Sequence, residues 1–272
     1  QSLEQLISLC DGVHIVTPTN THFNIAKKFL NHKKDVFIEK PITNTVKEAE
    51  SLIDLAKKNK CIIQVGHIER FNPTINKLKE LVENPHYIEI ERLAPFQARG
   101  TEVPVVLDLM VHDIDLILEM VDSPLESVQA SGAKMMSETI DLAHAHIKFK
   151  NGVVANLKSS RIAQNYVRKI RTYQKNFYSI TDLMIPQIEL YGLEHHNMFS
   201  EKLMSQEVET NSGLKTLYYE KFIPRNNDAL LEEINDFVRS INLRSSPIVD
   251  GQAGLNALKI ALEIENKIFL NE

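Results

Sequence analysis

The longest apolar stretch runs from Val103 to Val121, with apolar positions on every side of a helical projection. That pattern predicts a mostly buried helix. Earlier in the chain, short β-branched runs alternate with amphipathic segments. Val13–Val16, Val36–Ile38 and Cys61–Val65 read as buried strands. Between them, Asn24–Leu30 and Thr45–Lys58 read as helices, with Thr19, Asn20 or Thr21 able to cap the first. Thr45 and Glu48 have the spacing of a capping box. Strand, helix, strand, helix, strand predicts a parallel sheet with crossover helices.

The pattern changes at Gly66–Pro73, which reads as an irregular polar turn, with Pro73 opening a helix to about Val82. Tyr87–Arg92 alternates as a half-exposed strand does. So, in part, do Ser127–Gly132, Leu142–Phe149, Val153–Ser159 and Val167–Tyr173, and Asn151-Gly152 marks a hairpin. An open, mostly antiparallel sheet with helices on one face follows. Leu193–Lys215 reads as loop or short strand, Ala229–Ile241 and Gly251–Phe269 as helices. The fold class is therefore α/β plus α+β. The division expected is residues 1–72 and 73–272, with the last helix returning toward the first part.

Composition narrows the function. The 272 residues carry a net charge of -5, which gives no electrostatic case for nucleic acid or an anionic membrane surface. Charges interrupt every apolar run before it reaches membrane-spanning length. Two cysteines, Cys10 and Cys61, cannot make a disulfide framework, and a reducing cytoplasm fits them.

Within the Val103–Val121 run, Asp108, His112, Asp115 and Glu119 fall on one helical stripe. A histidine between carboxylates can be held in one tautomer and kept basic, as a general base for an alcohol requires. The stripe reads equally as the wet face of the helix. A metal site is a weaker third reading, because no further ligands cluster in the sequence. Three other motifs sit where a ligand of an open α/β sheet belongs, just beyond strand ends. Thr17-Pro18-Thr19-Asn20-Thr21-His22 could offer helix-start amides to a phosphate or ribose, or be a plain capped loop. Glu39-Lys40-Pro41 could present an ammonium to a hydroxyl, or hold only a surface lysine. Arg70 could fork onto a phosphate or carboxylate, or pair with Glu69 or Glu91.

Thr-Pro-Thr…His, Glu-Lys-Pro, Gly-His…Arg-Phe-Asn-Pro and Asp…His-Asp-Ile-Asp, in this order, resemble the Gfo/Idh/MocA family of oxidoreductases. The resemblance covers essentially the whole chain, and Gly66–Pro73 and Asp108–Asp115 look most like its nucleotide-sugar branch. It implies NAD or NADP on a Rossmann domain and a second domain whose open sheet joins subunits as a homodimer or homotetramer. It implies Lys40, Asp108 and His112 as the catalytic group. His112 would take the hydroxyl proton as hydride passes between a sugar or nucleotide-sugar carbon and the nicotinamide. Lys40 would hold the hydroxyl, and Asp108 would orient the imidazole. Thr17, Pro18, Asn20, His22, Glu39 and Lys40 would line the cofactor, and Arg70, Asn72 and Asp115 would face substrate. Rival readings are a non-catalytic sugar- or dinucleotide-binding regulator on the same scaffold and an NAD-dependent redox glycosidase.

One departure is large: no Gly-x-Gly-x-x-Gly follows a first strand. The chain opens on Gln1, so the early Rossmann strands are expected to lie upstream, and Val13–Val16 is expected to be an exposed sheet edge.

Overall fold

A computed structural model describes residues 2–193, 204–211, 213–225 and 227–270. The chain divides into two compact units. The first comprises Gln1–Phe71, Ile114–Leu116 and Asp228–Glu263, the second Asn72–Asp113, Ile117–Asn227 and Ile264–Glu272.

The first unit is built on a parallel sheet of β1 (Gly12–Ile15), β2 (Asp35–Glu39) and β3 (Ile63–Gly66), in that order. Among the described residues β1 forms one edge of this sheet. Val36, Phe37 and Ile38 of the central strand are buried on both faces, as continuous apolar runs in parallel sheets are. After the short α1 (Leu3–Leu9), the crossovers are α2 (Thr19–Asn31) and α3 (Val46–Asn59). The α3 start carries the full capping box, Thr45 Oγ1 accepting from Glu48 N and Glu48 Oε2 from Thr45 N.

The α2 start differs from expectation. It lies five residues before Asn24, and Thr19, Asn20 and Thr21 are inside the helix rather than capping it. Pro18, at φ -57°, is the N-cap and offers no side-chain cap. Thr21 instead turns its hydroxyl back to donate to Pro18 O at 2.7 Å. Two later helices complete this unit, α6 (Ala229–Leu243) and the first part of α7 (Gly251–Phe269). Phe237 of α6 packs 5.7 Å from Phe37, centroid to centroid. Gly254 of α7 lies so close to β3 that a Cβ there would meet Val65 Cγ2 at 2.6 Å. Close backbone approach, rather than a turn, demands this glycine.

The second unit is built on a nine-stranded sheet ordered β11-β12-β10-β9-β8-β4-β7-β6-β5. Its strands are β4 (Tyr87–Leu93), β5 (Leu125–Ala133), β6 (Leu142–Phe149), β7 (Val154–Ser160), β8 (Val167–Gln174), β9 (Phe177–Asp182), β10 (Gln187–Gly192), β11 (Met204–Thr210) and β12 (Gly213–Phe222). Every pair is antiparallel except β4 with β7. Gly152, at φ +89°, makes the β6–β7 turn at the expected Asn151-Gly152.

Leu193–Lys215 proves to hold β11 and the start of β12; residues 194–203 lie outside the described set. Most of β11 is exposed, so the backbone ladder with β12 holds it, and no burial rhythm marks it in sequence. The strands β9 and β10 are further members that the sequence reading does not mark. Across five neighbouring strands, Tyr87, Tyr173, Tyr178, Tyr191 and Tyr219 form a continuous aromatic row with centroids 4.6–5.9 Å apart.

Candidate active site

The carboxyl ends of β1 and β2 in the first unit are joined by a histidine. His22 is 1% exposed. Its Nε2 lies 2.8 Å from Thr17 O and its Nδ1 3.0 Å from Pro41 O. Both ring nitrogens thus lie against backbone carbonyls of the strand ends at which the sequence places the cofactor. His22 is a clasp between the Thr17–Thr21 turn and the Lys40-Pro41 corner. Thr17, Pro18 and Asn20 are exposed beside it.

These residues fit a dinucleotide. The thirteen-residue α2 begins at the end of β1 with no N-cap side chain bonded to its first turn, though Thr21 N donates to Pro18 O, and the positive end of its dipole lies at the strand end. Val16, at 66% exposure, offers an apolar surface at the same strand end.

Glu39 and Lys40 close β2. Glu39 Oε1 lies 3.0 Å from His14 Nε2, and the His14 ring stacks on Phe37 at 3.8 Å. Opposite Glu39 in the ladder is Gly66, where a Cβ would come within 2.7 Å of Glu39 Oε2. The glycine leaves room for the carboxylate to lie across the strand end. His14, Phe37 and Gln64 are register neighbours on the three strands. Sequence reasoning missed His14, since strand pairing alone brings it to Glu39.

Behind these residues is a buried polar cluster. Arg70 Nε donates to Asp115 Oδ2 at 2.6 Å and Nη2 to Oδ1 at 2.8 Å. Both are nearly buried, and His67 Nδ1 lies 4.0 Å from the same carboxylate. Burial lowers the His67 pKa, against the pull of Asp115. Arg70 therefore forms an ion pair with Asp115. Arg70 and Asp115, both expected at substrate, are forked to each other. Asn72, also expected at substrate, places Oδ1 3.0 Å from Thr74 N and caps α4 (Pro73–Leu81).

Glu233 of α6, which the sequence reading passed over, is 1% exposed. Gln64 Nε2 donates to its backbone oxygen at 2.8 Å. Its own Oε1 and the Oε1 of Gln64 are buried without a hydrogen bond. Burial first, then the negative charges of Glu39, Asp236 and Asp115, push the Glu233 carboxyl up to about 8.

The Asp108 segment contributes to the second unit. Val106–Met110 forms a π-helical turn that runs into α5 (Val111–Met120). Such turns are uncommon and recur at functional sites. Asp108 and His112 are both half-buried. The carboxylates that follow do not form one stripe around His112. Asp115 is committed to Arg70, and Glu119 pairs with Lys79. Asp113, absent from the expected stripe, is fully buried and takes Arg92 Nε at 2.9 Å and Nη2 at 2.7 Å. A helix buried on most sides meets a different neighbour on each, so shared helical phase does not give shared partners.

Residues 1–67 match a family described as an oxidoreductase family with an NAD-binding Rossmann fold. Residues 93–176 match the GFO/IDH/MocA C-terminal domain. The chain is 33% identical to a UDP-N-acetylglucosamine 3-dehydrogenase of Acidithiobacillus ferrooxidans over 97% of this chain and 80% of that protein. It is 27% identical to a myo-inositol 2-dehydrogenase of Thermotoga maritima over 96% and 80%. A solved structure of the Acidithiobacillus enzyme superposes with a TM-score of 0.87 at 32% identity, covering 98% of this chain and 82% of that one. Parallel strand ends, an uncapped α2 and the Glu39-Lys40-Pro41 corner thus coincide with likeness along nearly the whole chain, and the chain belongs to the Gfo/Idh/MocA family of oxidoreductases.

Proposed function

We propose that the protein interconverts a hydroxyl and a carbonyl on a sugar or nucleotide sugar, with NAD or NADP as hydride partner. The observation that carries this is the pairing of two features in one unit. The uncapped start of α2 suits a dinucleotide, and His22 ties it directly to the corner that bears Lys40. Both named relatives act, by their descriptions, on hydroxylated rings.

Thr17, Pro18, Asn20, Glu39 and Lys40 would hold the cofactor, whose nicotinamide would supply the hydride acceptor or donor. The Lys40 ammonium donates a hydrogen bond to the reacting hydroxyl oxygen and favours its deprotonation. His112 takes the hydroxyl proton in oxidation and returns it in reduction, and Asp108 orients the imidazole. Arg70 and Asp115, buried and forked to each other, and Asn72, which caps α4, support the site. A second copy of the chain covers the open face of the nine-stranded sheet, to which the tyrosine row adds apolar area. A homodimer or homotetramer follows, checked by light scattering. Free Cys10 and Cys61 agree with a reducing cytoplasm, and no described helix is long and apolar enough to cross a membrane.

The absorbance of the reduced nicotinamide tests the reading with UDP-N-acetylglucosamine and myo-inositol as substrates. Turnover of at least one is expected. His112→Ala and Lys40→Met should each lower it by about two to four orders of magnitude, with NADH affinity little changed. Near-normal turnover in either variant removes that residue from the mechanism.

A further inference from the structure

A cavity of about 190 Å³ with a mixed polar and apolar lining lies in the second unit, with Asp108 on its wall. Its volume equals roughly six water molecules in the liquid. The loop after β4 and the segment after β7 build the other walls, and internal bonds hold both. Arg161 is 6% exposed, donates to Gly100 O at 3.2 Å and to Val103 O, and lies 3.8 Å from Asp141. Its Nε is buried without a hydrogen bond. Across the opening, Gln97 Nε2 donates to Tyr166 Oη at 3.0 Å. Gly100, at φ +83°, turns the chain directly after Arg99.

Arg99 lines the same cavity and is exposed. Among the described residues it has no ion-pair or hydrogen-bond partner. The charges differ in their commitments. Arg161 is set against Asp141 and tied to two carbonyls, whereas the Arg99 guanidinium stands at the rim with its donors unspent. A planar fork of this kind matches a phosphoryl oxygen pair, and the neighbouring Gln97 and Tyr166 add neutral polar groups.

We propose that Arg99, with Gln97 and Tyr166, forms a subsite for a phosphoryl group on the substrate, the sugar ring occupying the cavity beside Asp108. The proposal rests on the dehydrogenase reading and sharpens it. The cavity is too small for a whole nucleotide sugar, so the ring enters and the phosphoryl group remains at the rim. A neutral polyol would leave the Arg99 donors unmatched. Two ligand sources share this chemistry, a nucleoside diphosphate sugar and a simple sugar phosphate.

The test compares N-acetylglucosamine, N-acetylglucosamine 1-phosphate and UDP-N-acetylglucosamine, by calorimetry and by turnover, on the full-length protein and its Arg99→Met and Arg99→Lys variants. The phosphorylated ligands should bind more tightly than the parent sugar. Arg99→Met should weaken them about tenfold to a hundredfold, the range for loss of a charged hydrogen-bond pair. Arg99→Lys should recover part of the loss. Turnover at saturation should stay within about threefold, with the change in KM. Equal effects on the monophosphate and the UDP sugar identify a phosphoryl group as sufficient. A loss confined to the UDP sugar identifies the diphosphate. Failure of wild-type protein to favour phosphorylated ligands, or unchanged binding in Arg99→Met, overturns the subsite. Absence of turnover with any sugar overturns the dehydrogenase reading instead, and calorimetry still decides the subsite.

Discussion

Replacing Glu233 by glutamine should change how stability depends on pH while leaving stability below about pH 4.5 little altered. The carboxyl is buried on α6, and no basic group bonds to its side chain among the described residues. Glu39, Asp115 and Asp236 face it from β2, α5 and its own helix, with Asp236 already held by Arg239 and by Ile248 N. His67 and Arg70 belong to the same cluster, but Arg70 is forked to Asp115. Burial first, then these negative charges, raise the carboxyl from 4.5 to about 8.

The folded protein therefore holds a proton here that the unfolded chain releases above pH 4.5. The stabilisation is complete below that pH and is lost as pH rises toward about 8. At about 1.4 kcal/mol per pH unit, the ceiling on the loss is roughly 5 kcal/mol, of which about 3 kcal/mol is gone by pH 7. Glutamine keeps the shape and cannot ionise. Urea unfolding of wild type and Glu233→Gln at about pH 4, 7 and 8.5 should give similar free energies at the lowest pH, which lies below the unfolded-state value of 4.5. The variant should be the more stable by about 2–5 kcal/mol at the highest. Glu265, raised to about 7 by burial, adds a slope of the same sign to both proteins and cancels in the difference. Parallel free-energy curves across this range would refute the reasoning, since they would mean that Glu233 is already ionised in the folded protein.

Other outcomes follow from buried contacts. Arg70→Met should destabilise the protein by about 3–5 kcal/mol, because it strands the Asp115 carboxylate in the interior, and chemical denaturation reads this directly. Gly254→Ala should cost about 1–3 kcal/mol through the contact with Val65, seen as a lower unfolding midpoint with an unchanged denaturant slope.

Local signals in the sequence were sufficient for much of the architecture. The alternation of short apolar strands and helices marks the parallel sheet. Thr45 with Glu48, Pro73 and Asn151-Gly152 each act within a few residues of themselves, so each is legible without the rest of the fold. The ordered motifs around Lys40 and Asp108 carry the family in the same way. Tertiary structure decided what the polar residues do. His14 meets Glu39 through parallel register, and His22 meets two carbonyls rather than solvent. Asp115 turns to Arg70 and Asp113 to Arg92, although both stand on one short helix. The parallel placement of β4 beside β7 has no local marker either. Gln64 and Glu233 are 169 residues apart in the chain. Periodicity tells which face of an element is apolar. A charge's partner, its burial and hence its protonation depend on what distant segment arrives against that face, which packing alone determines.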